Sequence, residues 1–447
     1  MLKAFVNIFK IEDLRNKILI TLGLLIVYRI GAYIPVPGID SMALARIFDS
    51  MAQRSGGGLF GMMNLFSGGA LRRATIFALG VMPYISVSII LQLLTPVIPY
   101  LDNLQKEGIT GYRKIQQYTR YGTILLSLVQ AYFIALFLEH GAGINETIVL
   151  FPGLGFRIIA MISLTAGTAF IMWLGEQIQE YGIGNGISLI ITAGILSRMP
   201  AAVFQLYNLV KANQVRTEVA VFLVVMLFAV IWFVTAIIQG QRKIPVQYAR
   251  RVSGAAVVGS QTSYIPLRVN QASVMPIIFA QSVMLFPATM ASFGIKPVFS
   301  QLAGLLTRGD WLYVGVYGGL IIFFTFFYTG IVFKPLDIAD NLKKYGGFIP
   351  GIRPGRPTAE YLYDVMIKVS TIGAVFLAVI AVIPMLMSKW LKIPYLVSQF
   401  FGGTGILIVV GVLLDTIRQI EGHLLMRHYD GFIPSGRVRG RSGRRTI

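Results

Sequence analysis

The sequence predicts an all-α polytopic membrane protein, and three observations carry that reading. Of 447 residues, 55% are apolar and only 13% charged, about half the charge of a soluble globular chain. Ten segments are apolar for about 20 residues, the length that crosses a bilayer. Lys and Arg number 39 against 19 Asp and Glu, a net charge of +20, and the basic residues fall mainly between the segments. This composition excludes disorder, a coiled coil and an ordinary cytosolic enzyme.

The segments run approximately 18–36, 74–98, 121–138, 154–175, 186–208, 219–240, 270–290, 311–333, 366–387 and 397–417. The first follows Lys3, Lys10, Arg15 and Lys17. It is too long for a signal-peptide core and no small-residue cleavage site follows, so it reads as a retained span. An even number of spans puts both termini on one side. Roughly 25 of the 39 basic residues lie on that side and about 11 on the other. The loop between the third and fourth spans carries Glu139 and Glu146 and essentially no basic residue. Positive-inside bias therefore predicts cytoplasmic termini. The tail RVRGRSGRR, five Arg in nine residues, reads as a solvated topology signal or as a contact for RNA or anionic lipid.

Chemistry is sparse. Without cysteine there is no disulfide framework, zinc–thiolate site, iron–sulfur cluster or Cys nucleophile. His140, His423 and His428 are too scattered for a metal centre. No cofactor is expected. Ion-coupled transporters keep buried charges, each costing about 2.5–3.5 kcal/mol at a helix centre, because they use them. Here the ionisable residues gather at span ends: Arg29, Arg157, Glu176, Lys368 and Asp415. That argues against ion-coupled transport. The lack of paired carboxylates or a Ser–Lys pair argues against an intramembrane hydrolase, so no enzyme is expected. GIGNG at 182–186 lacks the Lys-Ser/Thr that follows a phosphate loop.

Some stretches break the pattern. In GGGLFGMMNLFSGGA an apolar core over residues 59–66 sits between Gly56, Gly57, Gly58 and Gly68, Gly69. It is too short to span, and reads as a surface-lying turn or a re-entrant element. Two loops are long and basic. Residues 241–269 carry Arg242, Lys243, Arg250, Arg251 and Arg268; residues 334–363 carry Lys334, Lys343, Lys344, Arg353 and Arg356, with the turn string FIPGIRPG. They read as topology signals touching lipid, or as a docking surface for a large partner. Val81, Ile85 and Ile89 share one helical face, as do Ile187, Ile191 and Ile195. Such faces usually meet lipid or neighbours. If several met at a pore axis they would form a constriction that gates by dewetting.

Seven strings occur in order: YRIGAYIPVPGI from Tyr28, GVMPYISVSIILQLL from Gly80, GYRKIQQYTRYGT from Gly111, WLGEQIQEYGIGNGISLI from Trp173, IPLRVNQASVMPIIFAQS from Ile265, ADNLKKYGGFIPGIRPG from Ala339 and FGGTGILIVVGVLLD from Phe401. Over nearly the whole chain they resemble the SecY family, the channel subunits of the Sec protein translocon. The resemblance implies ten transmembrane helices in two inverted pseudo-symmetric five-helix halves around an hourglass pore. The halves would be 1–208 and 219–430, joined by an outer hinge loop at 209–218, with 431–447 as a basic tail.

Carried over by motif, the pore ring falls on Val81, Ile85, Ile187, Ile191, Ile278 and Ile408. Val81 stands where Ile is common, a change between two β-branched apolar residues. The short segment at about 56–70 matches the family's plug, with Leu59, Phe60, Met62, Met63, Leu65 and Phe66, which favours the re-entrant reading. The lateral gate falls on Ser86, Ile89, Gln92, Gln130, Ser282 and Phe286. Arg242, Lys243, Arg250, Arg251, Lys343, Lys344, Arg353 and Arg356 match the docking loops, although SGAAVVGSQTS after Arg251 departs from the common basic pattern. The implied activity is conduction of secretory polypeptides and sideways release of transmembrane segments. The implied partners are SecE-like and SecG-like small membrane subunits, the SecA motor ATPase, a ribosome with its nascent chain, signal sequences and anionic lipids. The implied place is the bacterial plasma membrane, or alternatively a plastid thylakoid.

Overall fold

Apolar runs punctuated by proline and glycine set the helices. The computed structural model describes residues 11–54, 64, 67–139, 148–248, 252–253, 256–257, 262–292, 311–391, 397, 400–401 and 403–430. Helix α1 is Glu12–Gly31 and α2 is Ser41–Arg54. The second predicted span is helical only from Met82. Gly80 at φ 58° turns the chain first, and Pro83 sits in the first turn of α3, Met82–Leu94, where its missing N–H costs nothing. Helix α4, Pro99–Lys106, leaves α3 at 97°. Then come α5, Ile109–Glu139, and α6, Leu154–Tyr181. The fifth predicted span is two helices, α7, Gly186–Leu196, and α8, Met199–Lys211, the second opened by Pro200. Helix α9, Thr217–Gln239, follows, so the helices shorten the expected hinge loop to residues 212–216.

Beyond α9 the long basic loops hold strands: β1, Gln241–Tyr248, a short hairpin of β2, Val252–Ser253, and β3, Ala256–Val257, and then β4, Thr262–Arg268. Helices α10, Met275–Ser292, α11, Trp311–Val332, and α12, Pro335–Lys344, precede β5, Gly347–Phe348. The last described helices are α13, Arg356–Trp390, and α14, Thr404–Asp430.

Among the described residues six helices are long and apolar enough to cross a membrane, or seven if the bent α3–α4 pair counts as one. Ten spans were expected, and the other three segments are helical as well. They are α1 and α14, which carry charges such as Arg15, Lys17, Arg418 and Glu421, and α10, an 18-residue helix.

The helices pack as two groups. Helix α5 lies on α3, α4 and α6, and α6 on α1 and α7. In the other group α11 lies on α10 and α13, and α14 on α9 and α13. The groups meet where α10 packs on α3 and α14 on α7.

The membrane body is all-α. The two basic loops, expected as turns, fold together on one face, called the basic face below. Strand β1 runs antiparallel between β4 and β5, with Ile244 opposite Ile265 and Gln247 opposite Phe348. Ile244 and Val246 alternate inward along β1, as a strand requires, and join Leu267, Leu342, Ile349 and Leu362 in a small core. The run QRKIPVQY hid this strand because its charges and Pro245 read as loop.

Candidate functional site

Val81 caps the start of α3 and Ile85 follows one turn later. Ile187 and Ile191 lie on α7, Ile278 on α10 and Ile408 on α14. The six side chains come from four helices and both helix groups. None is more than 9% exposed, and all belong to one continuous apolar cluster. Ile89 and Ile195, from the same two faces, belong to it too.

Ser86 on α3 donates to the Met82 carbonyl at 3.0 Å, and Gln92 donates to Ser88 Oγ at 3.1 Å. Ser282 on α10 donates to the Ile278 carbonyl at 2.8 Å and reaches Met82 Sδ, across the seam, at 4.0 Å. These polar groups bond mainly within their own helices, and the seam between α3 and α10 is crossed by the long Ser282–Met82 contact. Ile89 is buried in the central apolar cluster. Gln130 is half-buried on α5, which packs on α3. The side chain of Phe286 lies outside the described residues.

Leu59, Phe60, Met62, Met63, Leu65 and Phe66 also lie outside them. The base of their segment is described, and two arginines hold it. The buried Asn64 accepts through its carbonyl from Arg198 Nη1 at 3.2 Å and from Gly69 N at 2.8 Å. Its Oδ1 accepts from Arg72 N at 3.1 Å. Arg29 Nη1 donates to the Gly68 carbonyl at 3.4 Å, and Arg73 stacks on the Tyr33 ring at 4.3 Å.

Of the charges at span ends, Arg157 and Glu176 pair with opposite charges. Glu139 accepts from Arg157 Nε and from Gly153 N, both at 2.6 Å. Glu176 accepts from Arg120 Nε at 2.7 Å and Gln116 at 3.3 Å. Asp415 accepts from Ser273 Oγ at 2.7 Å, while Lys368 is exposed. GIGNG is a structural turn. Asn185 caps α7 by accepting from Ser188 N at 3.1 Å. Ile183 N donates to Thr21 Oγ1 at 3.0 Å and Gly184 N to Gln419 Oε1 at 2.9 Å. Among the described residues no group of three or more His, Cys, Asp or Glu could hold a metal ion.

Arg242 and Lys243 on β1, Lys343 and Lys344 at the end of α12, and Arg353 and Arg356 beyond β5 are all exposed on the basic face. The sheet brings them together from two loops. Thr358 Oγ1 donates to the Arg353 carbonyl at 2.8 Å and fixes that turn. Arg356 faces Glu360 at 3.6 Å. Arg250 and Arg251 lie outside the described residues.

The family model for SecY matches residues 75–417, a stretch that holds the ring, the seam and the sheet. The chain belongs to the SecY family. The protein translocase subunit SecY of Escherichia coli (strain K12) is 46% identical over 432 residues, 96% of each chain. That of Thermotoga maritima is 44% identical and covers 99% of this chain and 100% of its own. Among solved structures, one described as a protein conducting channel aligns at a TM-score of 0.64, with 18% identity and 94% of each chain covered. The channel of a canine ribosome-channel complex from the endoplasmic reticulum aligns at 0.60, again over 94% of each chain.

In this chain the sequence reading missed Arg198, Thr21 and Gln419. Each acts through a backbone partner far along the chain: 134 residues for Arg198, 162 for Thr21 and 235 for Gln419. Arg29 was visible as a charge at a span end, but its role at the segment base was not.

Proposed function

We propose that the chain is the protein-conducting channel of a bacterial membrane, passing secretory polypeptides between its two helix groups. The observation that carries this is the ring: six buried aliphatic side chains from four helices of both groups, in one cluster. A wall of Val and Ile offers no hydrogen bonds. It grips no particular sequence, yet it excludes water and ions around whatever threads it.

Residues 1–208 and 219–430 act as the two halves, hinged by their connection, and the basic face lies in the cytoplasm. A ribosome with its nascent chain, or the SecA motor ATPase, docks on Arg242, Lys243, Lys343, Lys344, Arg353 and Arg356, with Arg250 and Arg251 assigned to the same role by motif. SecE-like and SecG-like subunits and anionic lipids complete the assembly. Docking biases the contact between the halves, a two-state element. A signal sequence of about 7–15 apolar residues enters at the α3–α10 seam. The segment holding Leu59 to Phe66 moves aside and the chain threads the ring. The seam joins through van der Waals contact and weak hydrogen bonding, so it parts at low cost.

Sideways release follows from partition. Leu or Ile at a helix centre favours lipid by about 0.3–0.6 kcal/mol, and one Lys, Arg or Asp opposes it by about 2.5–3.5 kcal/mol. One charge thus offsets roughly six leucines. The channel makes and breaks no bond itself; its partner's hydrolysis or elongation supplies direction.

The absence of native cysteine gives the test. One Cys replaces Ile191 and another is placed in the mature part of a stalled precursor. The control places Cys at Phe228, 66% exposed on the lipid side of α9. A disulfide at 191 and none at 228 is expected. No disulfide at 191, with the precursor docked and the thiol reactive, would mean that the chain binds export complexes without conducting them.

A further inference from the structure

Helices α10 and α14 run antiparallel past the ring, and their contacts step down one as they step up the other. Ser273, just before α10, donates to Asp415 on α14 at 2.7 Å. Val274 packs against Gly411, where a Cβ would collide with its side chain. Gln281 Nε2 donates to Thr404 Oγ1 at 2.9 Å. Ile278 and Ile408 lie between these ties. Gln281 stands about 4.5 Å along α10 from Ile278, and Thr404 about 6 Å along α14 from Ile408.

The outer tie is made at a cost. Gln281 and Thr404 are each 1% exposed, deep in an apolar region. Gln281 Oε1 is buried there with no hydrogen-bond partner. A Leu–Val pair of similar shape would fill this space without an unsatisfied acceptor. What the polar pair adds is register. Apolar membrane helices slide and rotate past one another at little cost, because lipid tails are as apolar as leucine.

We propose that Gln281 and Thr404 are positioning residues: their hydrogen bond clasps α10 to α14 and holds Ile278 and Ile408 in one layer of the ring. This rests on the channel reading above. With the clasp open, the two isoleucines slip out of level and the resting ring seals less well. The barrier to unsuitable signal sequences falls with it.

The test uses the full chain with its small subunits in proteoliposomes. It compares Gln281→Leu, Thr404→Val, the double variant and Thr404→Ser. Export of a precursor with a defective signal sequence is measured beside resting ion leak. Each apolar variant should raise both by about tenfold, the weight of one hydrogen bond. The double variant should fall short of the sum of the single ones, since both single variants already lack the bond between the two residues. Thr404→Ser, which keeps the hydroxyl, should behave as wild type. Wild-type leak and stringency in Gln281→Leu, additive effects in the double variant, or a leaky Thr404→Ser would each overturn the clasp. The channel reading fails separately, through loss of the Ile191 disulfide in a chain with Gln281 and Thr404 intact.

Discussion

Gly68 and Gly194 approach so closely that a Cβ on Gly68 would stand 2.9 Å from the Gly194 Cα. The Tyr28 hydroxyl is 3.2 Å from the same point, and Gly68 holds φ at +64°. The base of the short apolar segment is therefore seated on α7 with no room to spare. A Cβ on Gly194 would lie 3.3 Å from the Gly68 Cα. We predict that Gly194→Ala is mild, and that Gly194→Val strains the seat by about 1–3 kcal/mol. Resting conductance in planar bilayers should rise in the order wild type, Ala, Val. A silent Val variant would remove the seat from the closed state.

Ile408→Asn puts an amide into the ring. A buried polar group without partners costs roughly 1–3 kcal/mol, so water follows it in. Ion leak and passage of poor signal sequences should both rise. If neither moves, Ile408 is not part of the constriction.

Gln419 and Thr21 tie the α6–α7 turn to α14 and α1 through Gly184 N and Ile183 N. Around the knot Leu14 and Ile183 are buried, with Ile420 and Leu424 packed against them. Gln419→Leu and Thr21→Val should each lower stability by about 1–2 kcal/mol, because a buried N–H loses its acceptor. Thermal unfolding of the purified complex measures it. Unfolding at the wild-type temperature in both variants would mean water replaces the lost partner.

Glu139 clamps the start of α6 with two charge-assisted bonds, and its side chain is 8% exposed against 29% for Arg157. Breaking a fully buried pair costs about 3–5 kcal/mol. Arg157's exposure lowers the expectation for Glu139→Leu to about 2–3 kcal/mol. Glu139→Gln, which still accepts from Gly153 N, should lose less. Equal losses in the two variants would show that the charge is immaterial.

Arg353 and Arg242 are exposed on the basic face, so Arg353→Glu and Arg242→Glu should change stability by no more than about 0.5 kcal/mol. Association with ribosomes or with the motor ATPase should weaken, most at low salt where exposed charges are least screened. Unchanged affinity at low salt would move the docking site elsewhere.

Much of this was legible without coordinates. The ten apolar segments all became helices, and of the five charges read at span ends Arg29, Arg157, Glu176 and Asp415 found polar partners while Lys368 is exposed. The strands were not legible, because β1 draws its apolar contacts from β4, α12 and α13. Nor was the bend between α3 and α4, since hydropathy along 74–98 runs on through it.

By itself, the sequence determined that this chain lives in a membrane, which stretches are helical and which motifs place it in its family. Those properties depend on composition and on neighbours a few residues apart. Only the tertiary structure decided which apolar faces meet. Ile191 is 1% exposed and Ile158 is 55% exposed, yet both are isoleucines inside spans. In a bilayer the lipid-facing and core-facing positions are equally apolar, so periodicity does not separate them. The pairing of Gln281 with Thr404, 123 residues apart, depends on how two helices cross, and no local pattern carries that.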